Sequence, residues 1–128
     1  MDAAKHKSIQ ADALEFLKSE TLSEFDIVVL DPPAFAKRAS ARHAAVQGYK
    51  RINLRALSMM KSGSLLFTFS CSQAVDDVLF ANTIVAAAIQ AGRTVRILHR
   101  LHQPPDHPVN VFHPEGSYLK GLVLRIDD

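Results

Sequence analysis

The sequence is poor in several residue types, and each shortage excludes a class of protein. Among its 128 residues there is one cysteine, Cys71, so an internal disulfide is excluded. Glycine occurs five times, and no glycine-rich loop that would cradle a phosphate or a dinucleotide is present. The longest apolar-rich run, 75–91, contains two aspartates, an asparagine and a glutamine, which make it too polar for a membrane span. The first twenty residues have no continuous apolar core, so we expect no secretory signal and a reducing cytoplasm as the compartment.

Acidic residues are also missing from one long segment, 32–75, although the net charge of the chain is only +2. Seven acidic residues precede this segment, between Asp2 and Asp31. Seven basic residues lie within it: Lys37, Arg38, Arg42, Lys50, Arg51, Arg55 and Lys61. A segment of one sign indicates a polyanionic partner such as a nucleic acid. A solvated helix face, balanced by acids elsewhere in the fold, explains the same pattern equally well.

Strand-like and helix-like patterns alternate along the chain. The predicted strands are 6–12, 25–33, 64–70, 94–101 and 118–126, and the predicted helices are 13–20, 41–61 and 72–91. This alternation predicts one α/β domain, 1–128, with a mostly parallel layered sheet. The last two strands have no helix between them, so we expect them to pair antiparallel. The unbroken apolar run Ile27–Leu30 predicts a strand covered on both faces, and the helix 72–91, apolar almost all round, is expected to be buried.

The first chemical feature is the motif VVLDPPAF, in which Asp31 falls at the C-terminal end of a predicted parallel strand. In open α/β sheets ligands bind at this edge. Pro32 and Pro33 restrict the backbone and hold the carboxylate in place, and Phe35 is able to stack on a flat ligand. An ordinary strand-ending turn with a capping aspartate is the structural alternative.

The second feature is Cys71, which lies between Ser70 and Ser72 where a predicted strand ends and a predicted helix begins. Ser72 is a favourable N-cap residue, and a helix N-terminus lowers the pKa of a thiol from about 8.5 and favours the reactive thiolate. We therefore expect the sulfur to lie over the same sheet edge as Asp31, on a neighbouring strand. A buried structural cysteine is the alternative, and it is the commoner case for a lone cysteine.

Histidines in the last third of the chain raise the question of a metal site. They are His99, His102, His107 and His113. Their spacing matches no zinc pattern, and the only cysteine is far away in the sequence. We therefore predict no metal site.

Taken together, several segments resemble a known family. They are QADALEFL, DIVVLDPPAFAK, GYKRINLRAL, SGSLLFTFSCS and PDHPVNVFHPEGSYLKGLVLRI, and the resemblance they carry extends over essentially the whole chain. In this order they resemble the S-adenosylmethionine-dependent RNA methyltransferases of the ribosomal large-subunit methyltransferase I type. That resemblance implies a partial Rossmann-like class I methyltransferase fold, S-adenosylmethionine as cofactor, and methylation of cytosine C5 in 23S rRNA.

The resemblance also implies roles for particular residues. Cys71 would be the nucleophile that attacks cytosine C6, and Asp31 would hydrogen-bond the flipped base. Asp12 would contact the cofactor adenine, with Asp31 and Pro32 beside the cofactor. Pro33 and Phe35 would form walls of the substrate pocket. The implied ligands of RNA phosphates are Lys50, Arg51 and Arg55.

One departure from the family concerns assembly. The glycine-rich cofactor loop and the first strands of the family precede the QAD segment and are not found here, so the chain resembles the C-terminal half of a methyltransferase domain. In the family, the strand 25–33 lies beside the first strand, so we expect Ile27–Leu30 to form an exposed apolar sheet edge. Such edges recruit other strands, which predicts a homodimer through this edge, with inward sliding of strand 6–12 as the alternative.

Two other function classes stay open. The first is an amino methyltransferase of the N6-adenine type, which carries an aromatic residue directly after D-P-P, where this chain has Ala34. The second is a non-catalytic RNA-binding or assembly module, which the missing cofactor loop favours.

Overall fold

The structure is a computed structural model that describes residues 16–17, 22–34, 39–102 and 119–128. Among these residues the strands and longer helices are β1 (Ile27–Leu30), α1 (Arg42–Met59), β2 (Leu65–Ser70), α2 (Asp77–Ala91), β3 (Val95–Leu101) and β4 (Lys120–Ile126), with a short 3-10 helix (Ala39–Ala41) before α1. The predicted strand 6–12 lies outside the described residues, as does most of the predicted helix 13–20. All the other predicted elements are present, although α2 begins later than predicted.

The strands form one sheet in the order β1-β2-β4-β3. β1 and β2 are parallel, whereas β4 is antiparallel to both of its neighbours. Three of the four strands therefore point the same way, which confirms the mostly parallel sheet and the antiparallel pairing of the last two strands. β4 is inserted between β2 and β3, a placement that the sequence pattern does not predict.

Both helices lie on one face of this sheet, which we call the covered face. Asn53 of α1 is fully buried and accepts a 2.6 Å hydrogen bond from Thr68 of β2, while its own side-chain amide donates to the Tyr49 carbonyl at 2.8 Å. The Tyr49 ring meets the Phe80 ring of α2 edge to face, with centroids 5.8 Å apart. Leu66 of β2 is also fully buried in this core. Polar and apolar contacts together fix the two helices on the sheet.

The opposite face, which we call the open face, has no helix over it among the described residues. Ile27 and Val29 of β1 are 57% and 63% exposed there. The expectation that β1 is covered on both faces is therefore wrong for the described part of the chain. Near the centre of the sheet the Phe69 ring lies against Gly121 of β4, where an added Cβ would come within 2.5 Å of the ring. Glycine at this position lets the aromatic ring approach the backbone of the neighbouring strand closely.

The start of α2 also differs from the sequence prediction. The N-cap is Asp76, whose side-chain oxygen accepts from the Leu79 N–H at 2.7 Å, so Ser72 is not the cap and the cap lies five residues after Cys71. The residues between them form a turn, in which the Val75 N–H donates to the Ser72 carbonyl at 3.3 Å. The predicted end is confirmed, because Gly92 terminates α2 in a left-handed conformation with φ 69°.

The expectation that α2 is buried all round is wrong for one stripe. Val78, Val85 and Ile89 are 69%, 48% and 74% exposed, although the other side of the helix is packed against α1. Within the described ranges, neither helix is long and apolar enough to cross a membrane.

Candidate active site at the carboxyl edge of the sheet

Asp31 and Cys71 directly follow two adjacent parallel strands, β1 and β2. The carboxyl ends of both strands therefore lie at one edge of the sheet, as the sequence pattern predicts. Leu30 of β1 pairs with Thr68 of β2, so β2 continues two residues further than β1. At about 3.3 Å per residue, Cys71 lies some 6–7 Å beyond the level of Asp31 along the strand direction.

The alternation of burial shows which face each of these residues belongs to. In the second strand, Ser70 and Ser72 are fully buried, whereas Cys71 between them is only half-buried. In the first strand, Leu30 and Pro32 are buried, whereas Asp31 is exposed. Because successive side chains of an extended chain point to opposite faces, Asp31 and Cys71 both belong to the open face.

The turn that carries Cys71 is held by one local hydrogen bond and by one from α1. The Ser72 N–H donates to the Ser70 hydroxyl at 3.2 Å. Arg42, the first residue of α1, donates from its Nε to the Ala74 carbonyl at 2.9 Å. The turn is therefore anchored to α1 as well as to β2.

Lys120, the first residue of β4, is a further functional candidate that sequence reasoning missed. It is paired with Ser70 of β2 and is only 5% exposed, and its Nζ donates to the Ser72 carbonyl at 2.8 Å. Burial lowers the pKa of Lys120 from its ordinary value. Coulombic interaction with Asp77, Cys71 and Asp76 raises the pKa of Lys120 again in part.

A signal for Lys120 does exist in the sequence. Lys120 directly precedes the apolar run GLVL in the predicted strand 118–126, and a charge that is buried there requires a partner. The partner, however, is a backbone carbonyl 48 residues earlier, which no local pattern indicates.

The other predicted pocket residues are only partly described. Pro32 is buried and faces the core, whereas Pro33 is exposed and faces solvent. The predicted cofactor contact Asp12 and the predicted stacking residue Phe35 lie outside the described residues.

The predicted phosphate ligands lie on α1, in the helix layer over the covered face, and not beside Asp31 and Cys71. Lys50 and Arg51 line a cleft of about 230 Å³ together with Gln47, Leu54 and Gln90. Arg55 donates from its Nε to the Leu17 carbonyl at 2.8 Å and so also holds the fold together. The structure therefore does not bring these cations to the same face as the predicted catalytic pair.

Two of the four histidines, His99 and His102, are described, and both are exposed. His107 and His113 lie outside the described residues. In the ranges that the structure covers, no three histidine, cysteine or acidic side chains come together as ligands for a metal ion.

Comparison with known proteins gives the same fold class as the strand order. A SAM-dependent methyltransferase structure from Streptococcus mutans superimposes with a TM-score of 0.74 at 19% identity, over 98% of this chain and 32% of its own. A DNA modification methylase from Thermus thermophilus, solved with S-adenosylmethionine, gives 0.56 at 16% identity, over 91% of this chain and 53% of its own. The fold is thus that of part of a class I methyltransferase domain. No family model matches the chain.

Sequence relatives show which methyltransferases within that class the chain is similar to. The chain is 40% identical over 129 aligned positions to the ribosomal RNA large subunit methyltransferase I of Vibrio vulnificus strain CMCP6, and 41% identical to that of Alteromonas mediterranea. The match covers 98% of this chain but only 32% of the Vibrio protein, so the chain spans about a third of the length of these curated relatives. Over nearly its whole length, the chain is therefore similar to one third of the ribosomal RNA large subunit methyltransferase I proteins.

Proposed function

We propose that this chain is the nucleophile-bearing part of an S-adenosylmethionine-dependent RNA methyltransferase that methylates cytosine C5 in large-subunit rRNA. The observation that supports this most is the position of Asp31 and Cys71, which lie on the same open face at the carboxyl ends of adjacent parallel strands. The relatives are named as rRNA methyltransferases, which makes RNA the proposed substrate.

In this proposal Cys71 is the nucleophile. Its thiolate forms a bond to cytosine C6, and the electron pair of the 5,6 double bond moves to C5. S-adenosylmethionine, when bound, would supply the methyl group that C5 takes up and would be left as S-adenosylhomocysteine. Loss of the C5 proton to solvent then restores the double bond, and the thiolate of Cys71 leaves C6. The chain is unchanged at the end of the cycle.

Asp31 has the complementary role of holding the base. Its carboxylate is exposed at the same edge, where it is able to accept hydrogen bonds from the polar edge of a base taken out of its stack. Pro32 is buried behind it, which restricts the backbone on which the carboxylate is presented.

The described residues fit only part of a cofactor site. Asp31 and Pro32 lie at the sheet edge where class I methyltransferase ligands bind, and they would form one side of the site. Because the chain spans about a third of its relatives' length, the other cofactor contacts are proposed to come from the remaining two thirds. Methyl transfer is therefore best tested on a chimera of this chain with the remaining part of the Vibrio vulnificus protein.

The test measures transfer of a labelled methyl group from S-adenosylmethionine to a large-subunit rRNA transcript, followed by nucleoside mass spectrometry. We expect 5-methylcytidine from the chimera and none from its Cys71→Ala variant. A Ser62→Ala variant, changed in an exposed turn before β2, is the matched control and should retain activity. Methylation that persists in Cys71→Ala would contradict the nucleophile assignment, and a methyl group on adenine N6 would point instead to an amino methyltransferase.

RNA contact through Lys50 and Arg51 is a separate part of the proposal. Both residues border the cleft between the helices, and cations that contact phosphates release counterions when RNA binds. Replacing both by glutamine should reduce the salt dependence of RNA binding by the chimera. An unchanged salt slope would remove this cleft from the interface.

A further inference from the structure

The electrostatic environment of Cys71 differs from the one that its sequence suggests. The first helical residue of α2 is Asp77, and the side chain of Asp76 already accepts from the first turn of the helix. The positive end of the helix dipole is therefore separated from the sulfur by a turn and is faced by two carboxylates. Since helix-terminus effects fall off within one turn, the helix does not supply the positive charge at Cys71.

A buried cation from another strand lies at this place instead. Lys120 pairs with Ser70, and its side chain lies on the covered face. Its Nζ donates to the Ser72 carbonyl oxygen, just beyond the end of β2, at 2.8 Å. At 5% exposure its ammonium group is largely shielded from solvent, so its field is screened less than that of a surface lysine. The carbonyl that it binds belongs to the residue that directly follows Cys71.

We propose that Lys120 is a positioning residue for Cys71, holding the turn that carries the thiol and providing the positive charge that favours its thiolate. The inference rests on the proposed function, because that function gives Cys71 a reaction to perform. Two effects act together: the charge-assisted hydrogen bond fixes the backbone next to the sulfur, and the ammonium group attracts the charge that develops on it.

The other charges around the turn oppose or add to this effect. Asp77 and Asp76 lie at the start of α2 and reduce the net positive potential, and their Coulombic interaction raises the pKa of Lys120. Arg42 approaches from α1 and donates to the Ala74 carbonyl in the same turn, so its guanidinium adds positive charge. Asp31 follows the adjacent strand β1 on the open face. Within the described residues, Lys120 is the buried member of this set.

The chain offers a direct test, because it contains one cysteine and thiol alkylation therefore reports on Cys71 alone. The second-order rate of alkylation by iodoacetamide is measured from pH 5 to pH 10 in the wild-type chain and in variants, each checked by circular dichroism. We expect Lys120→Met to slow alkylation at pH 7 by about three- to tenfold and to move the pH profile to higher pH. Lys120→Arg, which keeps the charge, should restore most of the rate.

Two further variants separate charge from general damage to the fold. Lys61→Met removes an exposed lysine that is ion-paired with Asp26 at 2.6 Å, and it should leave the profile unchanged. Asp77→Asn removes an exposed carboxylate near Lys120 and should move the profile in the opposite direction, to lower pH.

Some outcomes overturn the inference. If Lys120→Met alkylates with the wild-type rate and profile, or faster at every pH, then Lys120 neither orients nor activates the thiol. If Lys120→Met does not fold, the exposed Asp77→Asn variant decides, and an unchanged profile there contradicts the proposal. Alkylation requires neither cofactor nor RNA, so its result is independent of methyl transfer. A chimera that fails to methylate cytosine would refute the proposed function, but the alkylation profiles would not change.

Discussion

The two faces of the sheet are formed by the same strands, but they differ in how they are covered. On the covered face, Leu66 and Leu124 have no exposed surface, and the helices α1 and α2 pack directly over them. On the open face, Ile27 and Val29 are more than half exposed. Most of the apolar burial that stabilises the described fold therefore comes from one side.

The proposed chemistry follows the opposite distribution. Asp31 and Cys71 both belong to the open face, where a ligand has access to them. The residue that holds the Cys71 turn, Lys120, comes from the covered face, where burial shields it from solvent. One face therefore supplies stability and a fixed cation, and the other face presents the proposed reacting groups.

The largest expected effect comes from truncating the covered face. Leu66→Ala removes a fully buried side chain of β2 and should lower the free energy of unfolding by about 2–5 kcal/mol, because it leaves a cavity under the helices. The neighbouring variant Leu65→Ala is the matched control, with the same chemical change on the open face. Its side chain is only half-buried, so the expected cost is about 1 kcal/mol.

Urea unfolding followed by circular dichroism measures both values. Equal losses for the two variants would mean that the open face is covered in solution, and the contrast between the faces would then not hold for the protein.

Sequence reasoning succeeded where the signal is local. Local signals were sufficient to place Asp31 and Cys71 at the carboxyl edge of a parallel pair of strands. These signals are the apolar runs of β1 and β2 and the strand-ending residues that follow each run. Gly92 likewise ended α2 as predicted, because a left-handed terminal residue favours glycine.

The sequence does not predict the structure where contacts between distant residues determine it. Ser72 has the side chain of an N-cap, but its carbonyl accepts from Lys120, 48 residues later, and Arg42 holds the rest of the turn. These long-range bonds hold the segment as a turn, and α2 begins only at Asp77, with Asp76 as its cap. The insertion of β4 between β2 and β3 likewise depends on tertiary contacts, and the periodicity of the sequence does not predict it.

A smaller effect is expected from the polar contact inside the covered face. Thr68→Val removes the hydroxyl that donates to the Asn53 side chain at 2.6 Å and leaves that buried carbonyl oxygen without its donor. We expect a loss of about 1–3 kcal/mol in the free energy of unfolding. Thr83→Val is the control, since the Thr83 hydroxyl donates to the Leu79 carbonyl within α2, and it should cost less than about 1 kcal/mol.

The double variant Thr68→Val with Asn53→Leu sharpens this prediction. If the cost comes from an unsatisfied polar group, replacing both partners should recover part of the stability lost in Thr68→Val alone. A double variant that is less stable than the sum of the two single changes would show that packing, and not the hydrogen bond, sets the cost.

The smallest effect on stability, and the most informative one for assembly, concerns β1. This strand lies at one end of the described sheet, and we predict a homodimer through it because an apolar edge recruits another strand. Replacing Ile27 and Val29 together by threonine keeps β-branched side chains on the open face, so the free energy of unfolding of the monomer should change by no more than about 0.5 kcal/mol. The same change should abolish self-association in sedimentation velocity, whereas Ile97→Thr, at the opposite end of the sheet and 38% exposed, should leave it intact. A wild-type chain that remains monomeric at high concentration would contradict the dimer, and a dimer that survives the double replacement would place its interface elsewhere on the molecule.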